Sequence, residues 1–150
     1  MGTVRDGIRP VQSALEVYVQ GLRSRLNVQS VVVFGSRARG DHWEDSDIDL
    51  LVLSADFEGL PSSQRIDVLL ESWSGIPALE PFGLTPAECE GPGWLLLWDA
   101  LAQGRVLEDD GSFQRAREKF LERVRSGDLT PTADGWRERL VKVRSDSTTG

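Results

Sequence analysis

Apolar positions along the chain follow two rhythms. From residue 11 to 26, Val11, Leu15, Tyr18, Leu22 and Leu26 recur at helical spacing. Pro10 suits the first turn of that helix and Asn27 its end. The rhythm then changes to Ser30-Val31-Val32-Val33-Phe34, a β-branched run stopped by Gly35, which predicts a buried strand. Ser36–Gly40 leaves room for a short helical turn at most. Asp47–Leu53 predicts a second strand, buried in its later part. Pro61–Trp73 predicts a helix that stops before Gly75. Ile76–Phe82 carries Pro77 and Pro81 and predicts a short strand at a sheet edge.

The second half of the chain is richer in helix signals. Thr85-Pro86-Ala87-Glu88 has the form of a capping box, with proline in the first helical position. Gly91-Pro92-Gly93 breaks that helix. Trp94–Gln103 predicts the next one, ended by Gly104, with an apolar face of Trp94, Leu95, Leu97, Trp98 and Leu101 that suits a core or a partner surface. Arg105–Leu107 predicts a small strand or an extended segment. Ser112–Arg125 predicts a charged amphipathic helix, and Ala133–Val143 a last one. The tail Arg144–Gly150 is expected to be disordered. Strands alternating with helices imply an α/β (α+β) fold, a small mixed sheet packed against helices.

Composition narrows the function. The 150 residues predict one core. Lys and Arg total 17 against 24 Asp and Glu, a formal charge of −7. Such a surface repels phosphate backbones and argues against broad nucleic-acid binding, while a local basic patch still suits a single nucleotide. No apolar run approaches the roughly 18–20 residues that span a bilayer. The first ten residues lack the apolar core of a signal peptide. The expectation is a soluble, cytoplasmic protein with no membrane partner. Cys89 and His42 are each the sole residue of their type, which rules out an internal disulfide and a Cys/His zinc set. Cys89 is expected to be a small core or surface residue rather than a reactive thiol. His42 is expected at the surface, and Trp43 partly buried.

The chemistry concentrates between residues 35 and 50. Asp47 and Asp49 are two apart on a predicted strand, so both carboxylates point to one face. Like charges that close are unfavourable unless a cation joins them, and oxygen ligands suit a hard divalent ion. Gly35 and Ser36 follow a buried strand and open a turn, where backbone N–H groups and a hydroxyl attract phosphate. Arg37 and Arg39 are placed either to neutralise phosphate or to carry solvated loop charge. A phosphate cradle beside an acidic pair is what phosphoryl or nucleotidyl transfer requires.

The run Gly35-Ser36, ten residues, Asp47-Ile48-Asp49 resembles the signature of the DNA polymerase β-like nucleotidyltransferase superfamily. Across Val31–Leu53 the chain is similar to its minimal nucleotidyltransferases, often antitoxins paired with HEPN-domain ribonuclease toxins. The resemblance implies a nucleotidyltransferase domain over residues 1–126 and a C-terminal extension over 127–150. It implies Mg²⁺, or Mn²⁺, held by Asp47, Asp49 and a third acid. Glu80, before Phe82-Gly83-Leu84-Thr85-Pro86, matches the position of that third acid, where the family usually carries Asp; Asp67 is the rival. Gly35, Ser36, Arg37 and Arg39 would bind the nucleotide. The implied reaction is attack by an acceptor hydroxyl on the α-phosphate of a nucleoside triphosphate, ATP above all, releasing pyrophosphate. A HEPN-type protein is the implied acceptor. A binding-only antitoxin and an aminoglycoside-type small-molecule transferase are the alternatives, and self-association of the chain stays open.

Overall fold

The computed structural model of the chain describes residues 6–139. A 3₁₀ turn over Arg9–Val11 leads into α1, Gln12–Arg23. Then follow β1 (Ser30–Phe34), α2 (Ser36–Arg39), β2 (Ile48–Leu53), α3 (Ser62–Glu71) and β3 (Leu79–Leu84). The chain continues through α4 (Pro86–Glu90), α5 (Leu95–Gln103), β4 (Arg105–Asp109) and α6 (Ser112–Ser126). It closes on a hairpin of β5 (Leu129–Thr132) and β6 (Gly135–Glu138).

Strands β1 to β4 form one sheet in the order β3-β2-β1-β4. β1 pairs antiparallel with both β2 and β4, whereas β2 and β3 run parallel. Alternation along each strand then assigns every side chain to one of two cores. Val31, Val33, Ile48, Leu50 and Val52 pack against Leu15, Tyr18, Val19 and Leu22 of α1 and Leu69 of α3. Val32, Phe34, Leu51 and Leu53 pack on the other face, against Leu97 and Ala100 of α5 and Phe113, Ala116 and Phe120 of α6. Both faces of β1 and β2 are therefore buried, as the unbroken apolar runs in their sequences require. Each fully buried aliphatic side chain contributes roughly 1.5–3 kcal/mol through its removal from water.

The predicted mixed α/β class and its central elements agree with this architecture. β3 lies at a sheet edge, as Pro81 predicts, but it runs over Leu79–Leu84 rather than the expected Ile76–Phe82 and leaves Pro77 outside it. The Thr85 capping box is present: the Thr85 hydroxyl accepts the Glu88 N–H, and the Glu88 carboxylate accepts the Thr85 N–H. Cys89 is buried, and burial pushes its thiol up to about 12. Two further expectations need correction. α1 ends at Arg23 instead of Asn27, because the Ser24 N–H closes back onto Gly21 and Leu22. The helix expected from Ala133 is a strand hairpin over its described part. Thr132 pairs with Gly135 around Ala133-Asp134, and Trp136 packs edge-on against Phe120 of α6. Residues 140–143 of that expected helix, and the tail from Arg144, lie outside the described residues. Among the described residues, no helix is long and apolar enough to cross a membrane.

Candidate active site

β1 delivers the chain to Gly35, which has φ 74° and ψ −151°. That conformation is open to glycine and strained for other residues. Space imposes the same choice, because a Cβ built on Gly35 would fall on Oδ2 of Asp49. The Gly35 carbonyl accepts the N–H groups of Ala38 and Arg39 at 3.1 Å each, which closes the single turn of α2. Gly40, with φ 86°, ends it. Ser36 thus heads a tight turn directly beside the Asp49 carboxylate.

Asp49 lies opposite Phe34 on β1 and opposite Glu80 on β3. It shares a strand face with Leu51 and Leu53, and Glu80 shares one with Phe82 and Leu84; all four apolar residues pack toward the α5–α6 side. The acids therefore occupy the open end of that face, where the apolar core stops. Asp47 and Glu80 are exposed and Asp49 is half-buried. The Glu80 carboxyl is within hydrogen-bonding reach of both Asp47 and Asp49.

Burial and crowding raise the proton affinity of Asp49 and Glu80. Burial pushes Asp49 above the usual carboxylate range; a hydrogen bond with Glu80 opposes it, the charges of Asp47 and Asp99 add to it, and Arg39 offsets it slightly. Hydrogen bonding to Asp47 raises Glu80 first, followed by burial and the charges of Asp49 and Asp47. Carboxylates in this state gain from a bound proton or a bound cation. Their hard oxygen donors suit a divalent ion such as Mg²⁺ or Mn²⁺. Among the described residues, no three His, Cys, Asp or Glu side chains are grouped, as they stand, so that they could hold a metal ion. The cluster is an open set of adjacent donors. Asp67, the rival third acid, is exposed on α3, off the strands that carry Asp49 and Glu80.

The two arginines of α2 part company. Arg39 stays at the rim, 3.3 Å from Asp41 and 3.4 Å from Asp99 of α5. Arg37, expected at the nucleotide, turns inward and is 2% exposed. Its guanidinium donates to the carbonyls of Gly7, Glu44 and Ser46. His42, expected at the surface, is buried beside Gly7. Trp43, expected to be partly buried, is 77% exposed on the loop before Asp47. Asp99 escaped the sequence reading; its one signal was a lone acid within the otherwise apolar Trp94–Ala102 segment.

Residues 15–86 match the nucleotidyltransferase domain model. Protein adenylyltransferase MntA of Thermococcus cleftensis is 44% identical over 55 residues, which cover 37% of this chain and 52% of that protein. The chain spans about half the length of the curated relatives it matches. An inferred nucleotidyltransferase of Sulfolobus solfataricus superposes with a TM-score of 0.53 at 23% identity, over 73% of this chain and 93% of that one. A toxin–antitoxin crystal structure with AMP-PNP superposes with a TM-score of 0.51 at 19% identity, over 75% of this chain and 88% of that one. At such identities the two superpositions establish a shared fold. The segment that matches the nucleotidyltransferase domain model contains the Gly35 turn, β2 and Glu80, so the likeness falls on the elements that build this site.

Proposed function

We propose that the chain is a metal-dependent nucleotidyltransferase that moves AMP from ATP to a hydroxyl of a partner protein. The observation that carries this reading is the meeting of Asp49 of β2 and Glu80 of β3, with Asp47 just ahead of β2, beside the Gly35–Ser36 turn. Asp47, Asp49 and Glu80 would hold the divalent ion, Mg²⁺ or Mn²⁺, which would offset charge on the triphosphate.

The other roles belong to the chain itself. The Gly35–Ser36 backbone and the Ser36 hydroxyl bind phosphate oxygens where a side chain at residue 35 would block approach. Arg39, held at the rim by two carboxylates, adds positive charge. Glu80 is exposed and has a raised proton affinity, so its carboxylate is placed to accept the acceptor's hydroxyl proton. The acceptor oxygen forms a bond to the α-phosphorus, the bond from that phosphorus to the bridging oxygen breaks, and pyrophosphate leaves. Arg37 is given no phosphate contact, because backbone carbonyls occupy its donors.

A protein acceptor is supported by the name of the Thermococcus relative, a protein adenylyltransferase. A toxin as partner, of the HEPN type, is in keeping with the toxin–antitoxin neighbour with AMP-PNP. Calorimetry of ATP binding with Mg²⁺ tests the site, using wild type and Asp47→Ala/Asp49→Ala. Metal-dependent binding that disappears in the double variant is the expected outcome. Absence of binding for all four ribonucleoside triphosphates, with either Mg²⁺ or Mn²⁺, would sink the enzyme reading and leave a partner-binding module. Transfer of label from α-labelled ATP to a co-expressed partner then tests the acceptor.

A further inference from the structure

The guanidinium of Arg37 is a large charged group, 2% exposed, that the fold buries behind the Asp47-bearing loop, its donors turned to backbone carbonyls. Nη1 donates to the Gly7 carbonyl at 2.9 Å. Nε and Nη2 both donate to the Ser46 carbonyl, at 3.1 and 2.9 Å, and Nη2 also reaches the Glu44 carbonyl at 3.1 Å. Ser46 immediately precedes Asp47. Asp47 itself lies outside the sheet, because β2 begins at Ile48, whose N–H bonds to Ala78 on the β3 side. The position of Asp47 is thus set by Ile48 on one side and by the Arg37-held carbonyl on the other. A planar fork of donors suits that task, since it can hold several carbonyls in fixed relative positions.

The other end of the clamp is an N-terminal strap, Asp6–Val11. Its shape is fixed independently of the loop. The Asp6 carboxylate accepts the N–H groups of Ile8 and Arg9 at 3.0 Å each and lies 3.6 Å from Arg105 of β4. Ile8 and Val11 are buried in the α1-side core. Gly7 touches the clamp directly: a Cβ there would lie 2.6 Å from the Arg37 carbonyl oxygen and 2.7 Å from Arg37 Cα and His42 Nδ1. The strap lies wholly outside residues 15–86, the part matched by the family model.

We infer that Arg37 is a positioning residue that locks the Asp47-bearing loop to this strap, so that Gly7 becomes part of the apparatus that places a metal ligand. The inference rests on the metal-site reading above, and the test separates the two. Wild type, Arg37→Met, Arg37→Lys, Gly7→Val and the surface control Arg25→Met are compared as full-length protein, with thermal midpoints measured for each. The first readout is amide hydrogen exchange over residues 41–48 without metal. The second is Mn²⁺ affinity, measured by electron paramagnetic resonance. Arg37→Met and Gly7→Val are expected to exchange faster in that segment and to bind Mn²⁺ about tenfold more weakly, as for lost supports behind metal ligands. Arg37→Lys is expected to recover part of both losses, and Arg25→Met to match wild type. Folded Arg37→Met and Gly7→Val proteins that keep wild-type exchange, or bind Mn²⁺ within about twofold of wild type, overturn the positioning role alone. A wild type that binds no Mn²⁺ overturns the metal-site reading, and this inference with it.

Discussion

Two glutamates, one in β3 and one in the helix that follows it, are wired in opposite ways. Glu88, in that helix, accepts hydrogen bonds from both Nη atoms of Arg65, at 2.6 and 3.2 Å, and from the Thr85 N–H at 2.8 Å. Arg65 foremost holds its carboxyl below the usual range. Glu80, near the start of the same strand, faces Asp47 and Asp49 and is held above that range. One carboxylate has all its charge answered within the fold and serves stability. The other has charge left over, which the fold tolerates at a cost and a ligand can answer. The difference between a carboxylate the fold satisfies and one it leaves crowded therefore lies in what each faces, not in exposure, since both are exposed.

The sharpest way to break this contrast is to remove the unanswered charge at its centre. Asp49→Ala is expected to lower nucleotidyl transfer by about 10³-fold, on the scale of a lost electrostatic contact to the transition state. Single-turnover assays with labelled ATP measure it, and a loss below about tenfold would show that Asp49 is peripheral. Next comes the answered charge. Glu88→Ala removes a capping-box acid and leaves the buried Arg65 guanidinium short of its partner, for an expected loss of about 1–2 kcal/mol in urea unfolding.

Acidity sharpens the comparison further. Glu88 has a lowered value in the fold, so its contribution is complete above its unfolded value of about 4.3 and is lost as pH falls through the lower folded value. Glu80 has a raised value, so its penalty is absent at low pH and appears as pH rises through the folded value. Unfolding curves of Glu88→Gln and Glu80→Gln without metal, each subtracted from wild type, should therefore slope in opposite directions with pH. At neutral pH, Glu80→Gln should be the more stable protein by about 1 kcal/mol, or roughly 2–4 °C in midpoint. Equal slopes would mean that the carboxylates do not repel one another in solution. The smallest effect is expected at Ser36. Ser36→Ala removes one neutral hydrogen bond and should weaken ATP binding about fivefold by calorimetry.

Much of this was legible in the sequence, for reasons that differ by element. β1 and β2 declare themselves because both faces are buried and their apolar runs are unbroken. The capping box at Thr85 is local chemistry, and four consecutive residues suffice to show it. Glu80 could be placed near Asp49 only through the resemblance, because the parallel pairing of β2 and β3 joins segments some thirty residues apart. Arg37 was misplaced because a four-residue helix is too short for any periodicity to tell inside from outside. The C-terminal hairpin was also misread, though Thr130, Thr132 and Trp136 flanking Asp134-Gly135 carried a turn signal.

The two outer strands of the sheet have a consequence for the protein's life at high concentration. β3 offers no N–H at Pro81, and its Gly83 carbonyl is already taken by Arg65 at 3.0 Å. β4 slips register against β1 between Val31 and Val32, and it carries Arg105, Glu108 and Asp109. Neither border is a clean template for a further strand, which is how proteins resist stacking edge to edge into fibrils. The molecule can thus keep a crowded, ligand-hungry acid on a border strand without that border recruiting a second molecule.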